Sequence, residues 1–310
     1  SPSSAAKTNK QRGVQLLGPL AAFSTSAIWA YASPRYAKIT VDFGPVAVNL
    51  SRALAALLVA TMVLAIRAVS TGSFASFNTM DIHSVAWLSL SMLTSYGLGD
   101  ALFFVAASKI GFATALAIGS SFPLWSACAG WWFRGEVLSV DRLAGLALLV
   151  GGVVAIVALG RNEHAKKPGT YLRWVVLSIF VSLLWSATAF FTSQSTMTAD
   201  PTLATAIRMA AAIPIIFGVS FFLKRVNPKP FYLPGRVFWR SFPLFAVEGF
   251  GGALAYVYGM SHTDLAVGSA LSSLAPVLSV PFAVLLGLDR PSIPRMTALI
   301  GVVVGIWLLV

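Results

Sequence analysis

The chain has 310 residues, of which 57% are hydrophobic and 10% charged. A soluble domain carries about a quarter charged residues, so this composition excludes a water-soluble fold and makes hydrocarbon the main solvent. The net charge of +12 does not mark a nucleic-acid binder, because the basic residues lie mainly between or at the ends of apolar runs, as topology-setting loop charges do.

Residues 1–16 read as a polar tail with no signal peptide. Ten apolar stretches long enough for membrane helices follow: 17–38, 45–66, 84–107, 112–134, 140–160, 171–194, 201–223, 237–260, 266–288 and 293–310. Pro45, Ser139 and Pro201 suit helix starts. No segment between the spans is large enough for a soluble domain. Cys128 is the only cysteine, and His83, His164 and His262 are scattered, so neither a disulfide nor a metal site is expected.

The second half repeats the first. Shifted by 156 residues, Trp29 falls on Trp185, Pro45 on Pro201 and Arg52 on Arg208. Shifted by 153, Ser120 falls on Ser273, Pro123 on Pro276, Glu136 on Asp289, Ser139 on Ser292, Arg142 on Arg295 and Gly152 on Gly305. Two five-helix units, 17–160 and 171–310, are thus joined by a linker at 161–170. Five is odd, so the second unit should enter the membrane from the opposite side. The expected fold class is an all-α integral membrane protein, ten transmembrane helices built as two inverted five-helix repeats, with a site between the halves.

The stretches "AIGSSFPLWSACAGWWFRGEVLSVDRLAGLALLVGGVVAIV" and "AVGSALSSLAPVLSVPFAVLLGLDRPSIPRMTALIGVVVGIWLL" resemble the EamA-type repeat of the drug/metabolite transporter superfamily. That repeat has a small-residue helix, a proline, an acid after glycine, and a serine-led last helix. Asp289 departs from it, following Leu288 instead of glycine. The resemblance implies a secondary transporter that exports a small amino-acid-like or amphipathic solute by alternating access. It also implies a cavity formed by helices 1–4 and 6–9.

Ionisable groups inside spans are costly in lipid and usually face a cavity or a partner. They are Glu248, deepest in span 8 among glycines, Asp100 in span 3, and Arg52 and Arg208, each about two turns into its span. The arginines are expected toward opposite membrane faces, drawing in a carboxylate. Glu248 is expected to bind a cationic group or carry a coupling proton, with Arg208 or the solute as its nearest cation. Glu248 aligns with Ser95, not Asp100, so the two acids need not face one cavity. Trp29, Trp185, Tyr96 and Tyr256 are candidates for the apolar wall. Trp131, Trp132, Trp174 and Trp239 read as an interfacial belt.

Pro123 and Pro276 are expected to kink their spans, as cavity-shaping hinges or as packing. Glu136 and Asp289 read as corners beside the serines that cap the next helices. The serines of "GSS" and "GSALSS" read as packing. Gly301 with Gly305, and Ala147, Gly151 and Ala155, mark spans 5 and 10 as scaffold.

No ATP-binding loop or metalloprotease motif occurs, so an enzyme and any cofactor are not expected. The expected partners are a small-molecule substrate, the lipid bilayer and a coupling proton; the alternatives are a non-transporting receptor or scaffold, then a membrane enzyme or a channel. The expected location is the cell (inner) membrane, with both termini on one side. Outside Arg52 and Arg208, the terminus side holds six Lys or Arg and the other side fourteen. That count favours termini outside. The resemblance and the basic tail favour the cytoplasm, which is the reading adopted.

Overall fold

The computed structural model describes residues 2–73, 80–158, 168–195, 200–223, 229–278 and 293–309; the regular structure among them is helical, with no strand. The first helix, α1 (Pro2–Thr71), bends at Gly44, whose φ of 83° and ψ of 162° suit glycine alone. Pro45 then opens the second arm, where its missing N–H costs nothing. The first two predicted spans are thus two arms of one bent element.

Helix α2 (Ile82–Met92), a π-helical segment (Leu93–Gly99) and α3 (Asp100–Ile110) form one rod. Gly111, at φ 89°, separates it from α4 (Phe112–Gly119), which stops at Ser120 and Ser121 before α5 (Phe122–Arg134). Next come α6 (Val140–Ala158), α7 (Pro168–Ser195) and α8 (Pro201–Leu223). In the second half, α9 (Gly235–Ala246), a second π segment (Val247–Gly252) and α10 (Ala253–Ser261) form another rod. Helix α11 (Leu265–Ser272) breaks at Ser273 and Leu274, helix resumes over 275–278, and α12 (Ile293–Leu309) is last. The breaks at Ser120 and Ser273 recur at the 153-residue shift. So do the π segments, since 93–99 maps onto 246–252.

The prolines act differently from expectation. Pro123 stands in the first turn of α5, just after the break at Ser120–Ser121. Pro276 likewise follows the break at Ser273–Leu274. Neither kinks an intact helix; each sits where a lost N–H is tolerated, and the serines mark the break.

Four helical stretches among the described residues are long and apolar enough to cross a membrane: Leu16–Thr71, Ile82–Ile110, Tyr171–Ser195 and Pro201–Phe221. Their outer faces expose large apolar side chains, among them Leu58, Met62 and Ile66 on α1, Val176 and Phe180 on α7, and Phe221 on α8. Such apolar area suits lipid contact, not water. Trp131, Trp132 and Trp239 are similarly exposed. Trp174 is not a free belt residue; it packs into the largest core cluster with Lys109 and Arg173 near its ring.

Some of the links between the two halves are ion pairs at helix ends. Arg67 pairs with Asp200 at 2.9 Å and Arg142 with Asp264 at 2.7 Å. Burial opposes the Asp200 charge, but Arg67 and the Thr202 and Leu203 N–H groups outweigh it and hold its carboxyl below the usual range. The Glu136 carboxylate pairs with Arg134 at 3.2 Å and accepts the Leu265 N–H at 3.0 and 3.1 Å. This acid therefore caps α11 in the other half, a favourable place for negative charge, and not the helix next in sequence. That helix, α6, is capped by Ser139, whose hydroxyl accepts the Arg142 N–H at 3.4 Å. Asp289 and Ser292 lie outside the described residues.

Helices α6 and α12 pack on each other through glycines, though not all of those expected. A Cβ on Gly305 would meet the Gly145 carbonyl at 2.7 Å and the Leu149 nitrogen at 2.9 Å, and one on Gly152 would meet Val302 at 2.5 Å. Gly151 and Gly301 face open space. Gly305→Val should cost about 1–3 kcal/mol through overpacking against backbone, whereas Gly301→Val should stay within about 0.5 kcal/mol. Melting curves of the two purified variants check this; equal losses would refute the contact.

Candidate functional site

The two halves enclose a cavity of about 800 Å³, mouth included. It is lined from α1, both π segments, the start of α3, the α4–α5 and α11 breaks, α7, α8 and α10, while α6 and α12 contribute no described lining residue. All eight residues singled out for solute or coupling line it: Trp29, Arg52, Tyr96, Asp100, Trp185, Arg208, Glu248 and Tyr256.

The arginine of the second arm of α1 is the hub. Arg52 is 1% exposed and does not snorkel. Its Nη1 donates to Asp100 Oδ2 at 2.7 Å, and its Nε and Nη2 grip Glu248 Oε2 and Oε1 at 2.9 and 2.8 Å. The guanidinium fork thus holds one carboxylate in bidentate fashion and a second at its edge, a geometry lysine could not supply. The rest of the shell completes the bonding. The Tyr36 hydroxyl donates to Glu248 Oε2 at 2.9 Å, and Trp185 Nε1 donates to Asp100 Oδ1 at 3.1 Å. The Asn49 side-chain Oδ1 accepts from Arg52 Nη1 at 3.1 Å. The rings of Tyr96, Tyr36 and Trp29 lie 4.2, 4.8 and 5.1 Å from the guanidinium carbon.

Backbone features bring these groups together. Gly249 follows Glu248 in the second π segment, and a Cβ there would meet the Arg52 carbonyl at 2.9 Å and Ala56 at 3.0 Å. Only glycine lets this rod come close enough for Glu248 to reach Arg52. In the first rod, a Cβ on Gly99 would meet the Trp185 ring at 3.0 Å. Both acids sit at a π segment, where the widened turn re-aims side chains; such segments are frequent at functional sites. The two acids do face one cavity, because both reach the same guanidinium. Correspondingly, the cation beside Glu248 is Arg52, not Arg208.

Arg208 lies elsewhere in the cavity. The second arm of α1 runs antiparallel to α8, since Arg67 at the end of one meets Asp200 at the start of the other. Arg52 is 15 residues from Arg67 and Arg208 is 8 from Asp200, so at about 1.5 Å per residue they differ in depth by about 10 Å. Arg208 is 3% exposed; its Nε donates to Ser91 Oγ at 3.2 Å, and the Tyr256 ring lies 5.3 Å away. Its Nη1 has no hydrogen-bond partner among the described residues.

Tyr36, Asn49 and Ser91 were not singled out from sequence. Asn49 carried a signal, a polar side chain three residues before Arg52 on the same helical face. The serines treated as packing also belong here, since Ser120, Ser272 and Ser273 line the cavity at the helix breaks.

Comparison with known proteins agrees with this architecture. One solved structure, titled "Crystal structure of protein", superposes with a TM-score of 0.70 at 18% sequence identity, the match covering 96% of each chain. At that identity the likeness shows the fold alone. No curated protein matches the sequence. The EamA-like transporter family matches residues 16–158 and 172–310, two tandem copies that take in nearly the whole chain and every residue of the cavity. The chain is a member of the EamA-like transporter family.

Proposed function

We propose that this membrane protein is a secondary transporter that exports a small amino-acid-like or amphipathic solute by alternating access between two inverted five-helix halves. One observation carries the reading: charged and aromatic side chains from both halves converge on a cavity at their junction. The ten-span arrangement has support from the links Arg67–Asp200, Arg142–Asp264 and Glu136–Leu265, which join the loops that such a topology places on the terminus face. The proposed location is the cell membrane, with both termini cytoplasmic. A reporter fused at residue 165 tests this, and a cytoplasmic signal there would reverse it.

A thermal-shift screen of purified protein against amino acids and small organic acids tests the function. A ligand that binds the folded state raises its apparent stability. Any hit should then exchange across liposomes bearing the protein, measured as counterflow of the labelled compound. Hits that bind without counterflow would favour a receptor instead.

A further inference from the structure

We infer that Arg208, and not Arg52, is the anchor for the solute, and that the group it takes is a carboxylate. This rests on the transporter reading of the same cavity and goes beyond it to the chemistry of recognition. Arg52 has little capacity to spare, since four of its five N–H donors are taken by Asn49, Asp100 and Glu248. Each of its three guanidinium nitrogens already donates to Asp100 or Glu248. Every oxygen of those two carboxylates accepts at least one hydrogen bond. A solute carboxylate could not take the bidentate Arg52 fork without displacing Glu248.

Arg208 is the opposite case. It is buried, lines the cavity and pairs with no carboxylate among the described residues. Only its Nε has a partner there, the uncharged Ser91 hydroxyl. A buried guanidinium with unmet donors is costly, and a planar carboxylate is the group that its fork fits best. Tyr256 beside it supplies a surface for the apolar body of the solute.

Charge balance then restricts what accompanies the carboxylate. Arg52, Asp100 and Glu248 together carry one net negative charge, and Arg208 balances it about 10 Å away in depth. A bound monoanion would leave the buried site with an uncompensated charge. The solute therefore either carries its own cationic group or enters with a proton for Asp100 or Glu248. The groups facing those two carboxylates are Arg52 and Tyr36 from α1 and Trp185 from α7, with Tyr96 stacked on Arg52.

The test is titration calorimetry on the purified protein with acetate, 3-phenylpropionate, phenylalanine, 2-phenylethylamine and 2-phenylethanol. Each is run in two buffers of different protonation enthalpy. At least one carboxylate should bind, and the amine and the alcohol should not match it. Arg208→Gln should weaken that binding on the order of tenfold to a hundredfold. Arg208→Lys, which keeps the charge but loses the fork, should fall between. Binding of 3-phenylpropionate should take up about one proton, and binding of phenylalanine none. Failure of every carboxylate to bind, equal binding of the amine or the alcohol, or unchanged binding by Arg208→Gln would overturn the inference. The panel on unaltered protein decides even where a variant does not fold. Carboxylates that bind through Arg208 without counterflow would sink the transport reading and leave this one standing. Counterflow indifferent to Arg208→Gln would do the reverse.

Discussion

Replacing Arg52 with leucine should cost about 3–5 kcal/mol of stability, the usual loss when one partner of a buried ion pair is removed. The change strands Asp100 and Glu248, both buried, and takes one donor from Asp100 and two from Glu248. It also empties the space against which Trp29, Tyr36 and Tyr96 pack. A melt followed by tryptophan fluorescence should show the protein unfolding at a markedly lower temperature. The triple variant Arg52→Met, Asp100→Leu, Glu248→Met should recover much of that loss, because apolar replacement of a whole buried ion cluster is often neutral or stabilising. The recovered protein should still lack solute accumulation driven by a pH gradient. If Arg52→Leu melts like the parent, the cluster does not hold the halves together.

Glu248→Gln should separate gradient-driven transport from solute exchange. The substitution keeps the size, but an amide nitrogen then faces the donors of Arg52 or Tyr36, so the bidentate grip is lost. The protein should fold with a loss of about 1–3 kcal/mol. Solute accumulation driven by a pH gradient should fall by an order of magnitude or more. Counterflow should persist, because the anchor at Arg208 is untouched. Loss of both activities would assign Glu248 to the solute instead of the proton. Full activity in both assays would make it a structural carboxylate and shift the coupling role to Asp100.

Much of the site was legible in the sequence, and for a physical reason. An arginine, a glutamate or an aspartate deep in an apolar run is too costly to face lipid, so Arg52, Arg208, Asp100 and Glu248 declare themselves by residue type and depth. The 153- and 156-residue shifts likewise expose the tandem repeat, because each half must present the same faces to its counterpart. Uncharged polar groups declare nothing comparable. A serine or threonine in a membrane helix can bond its own backbone, as Ser24, Thr25 and Ser89 do, so its presence in a span does not reveal a cavity. Ser120 is illegible for that reason, and Tyr36 because an aromatic ring suits lipid and packing as well as a cavity.

The solvent, the helical class, the repeat and the list of charged candidates follow from composition, from the length of apolar runs and from the cost of charge in lipid. The pairing of these groups is another matter. Pairing depends on helix depth and rotation, which are set by the bend at Gly44, the two π segments and the close approaches at Gly99 and Gly249. A constant turn of 100° per residue cannot carry a face across a π segment, so the meeting of Asp100 and Glu248 on one guanidinium, and the isolation of Arg208, become visible only when the helices are packed.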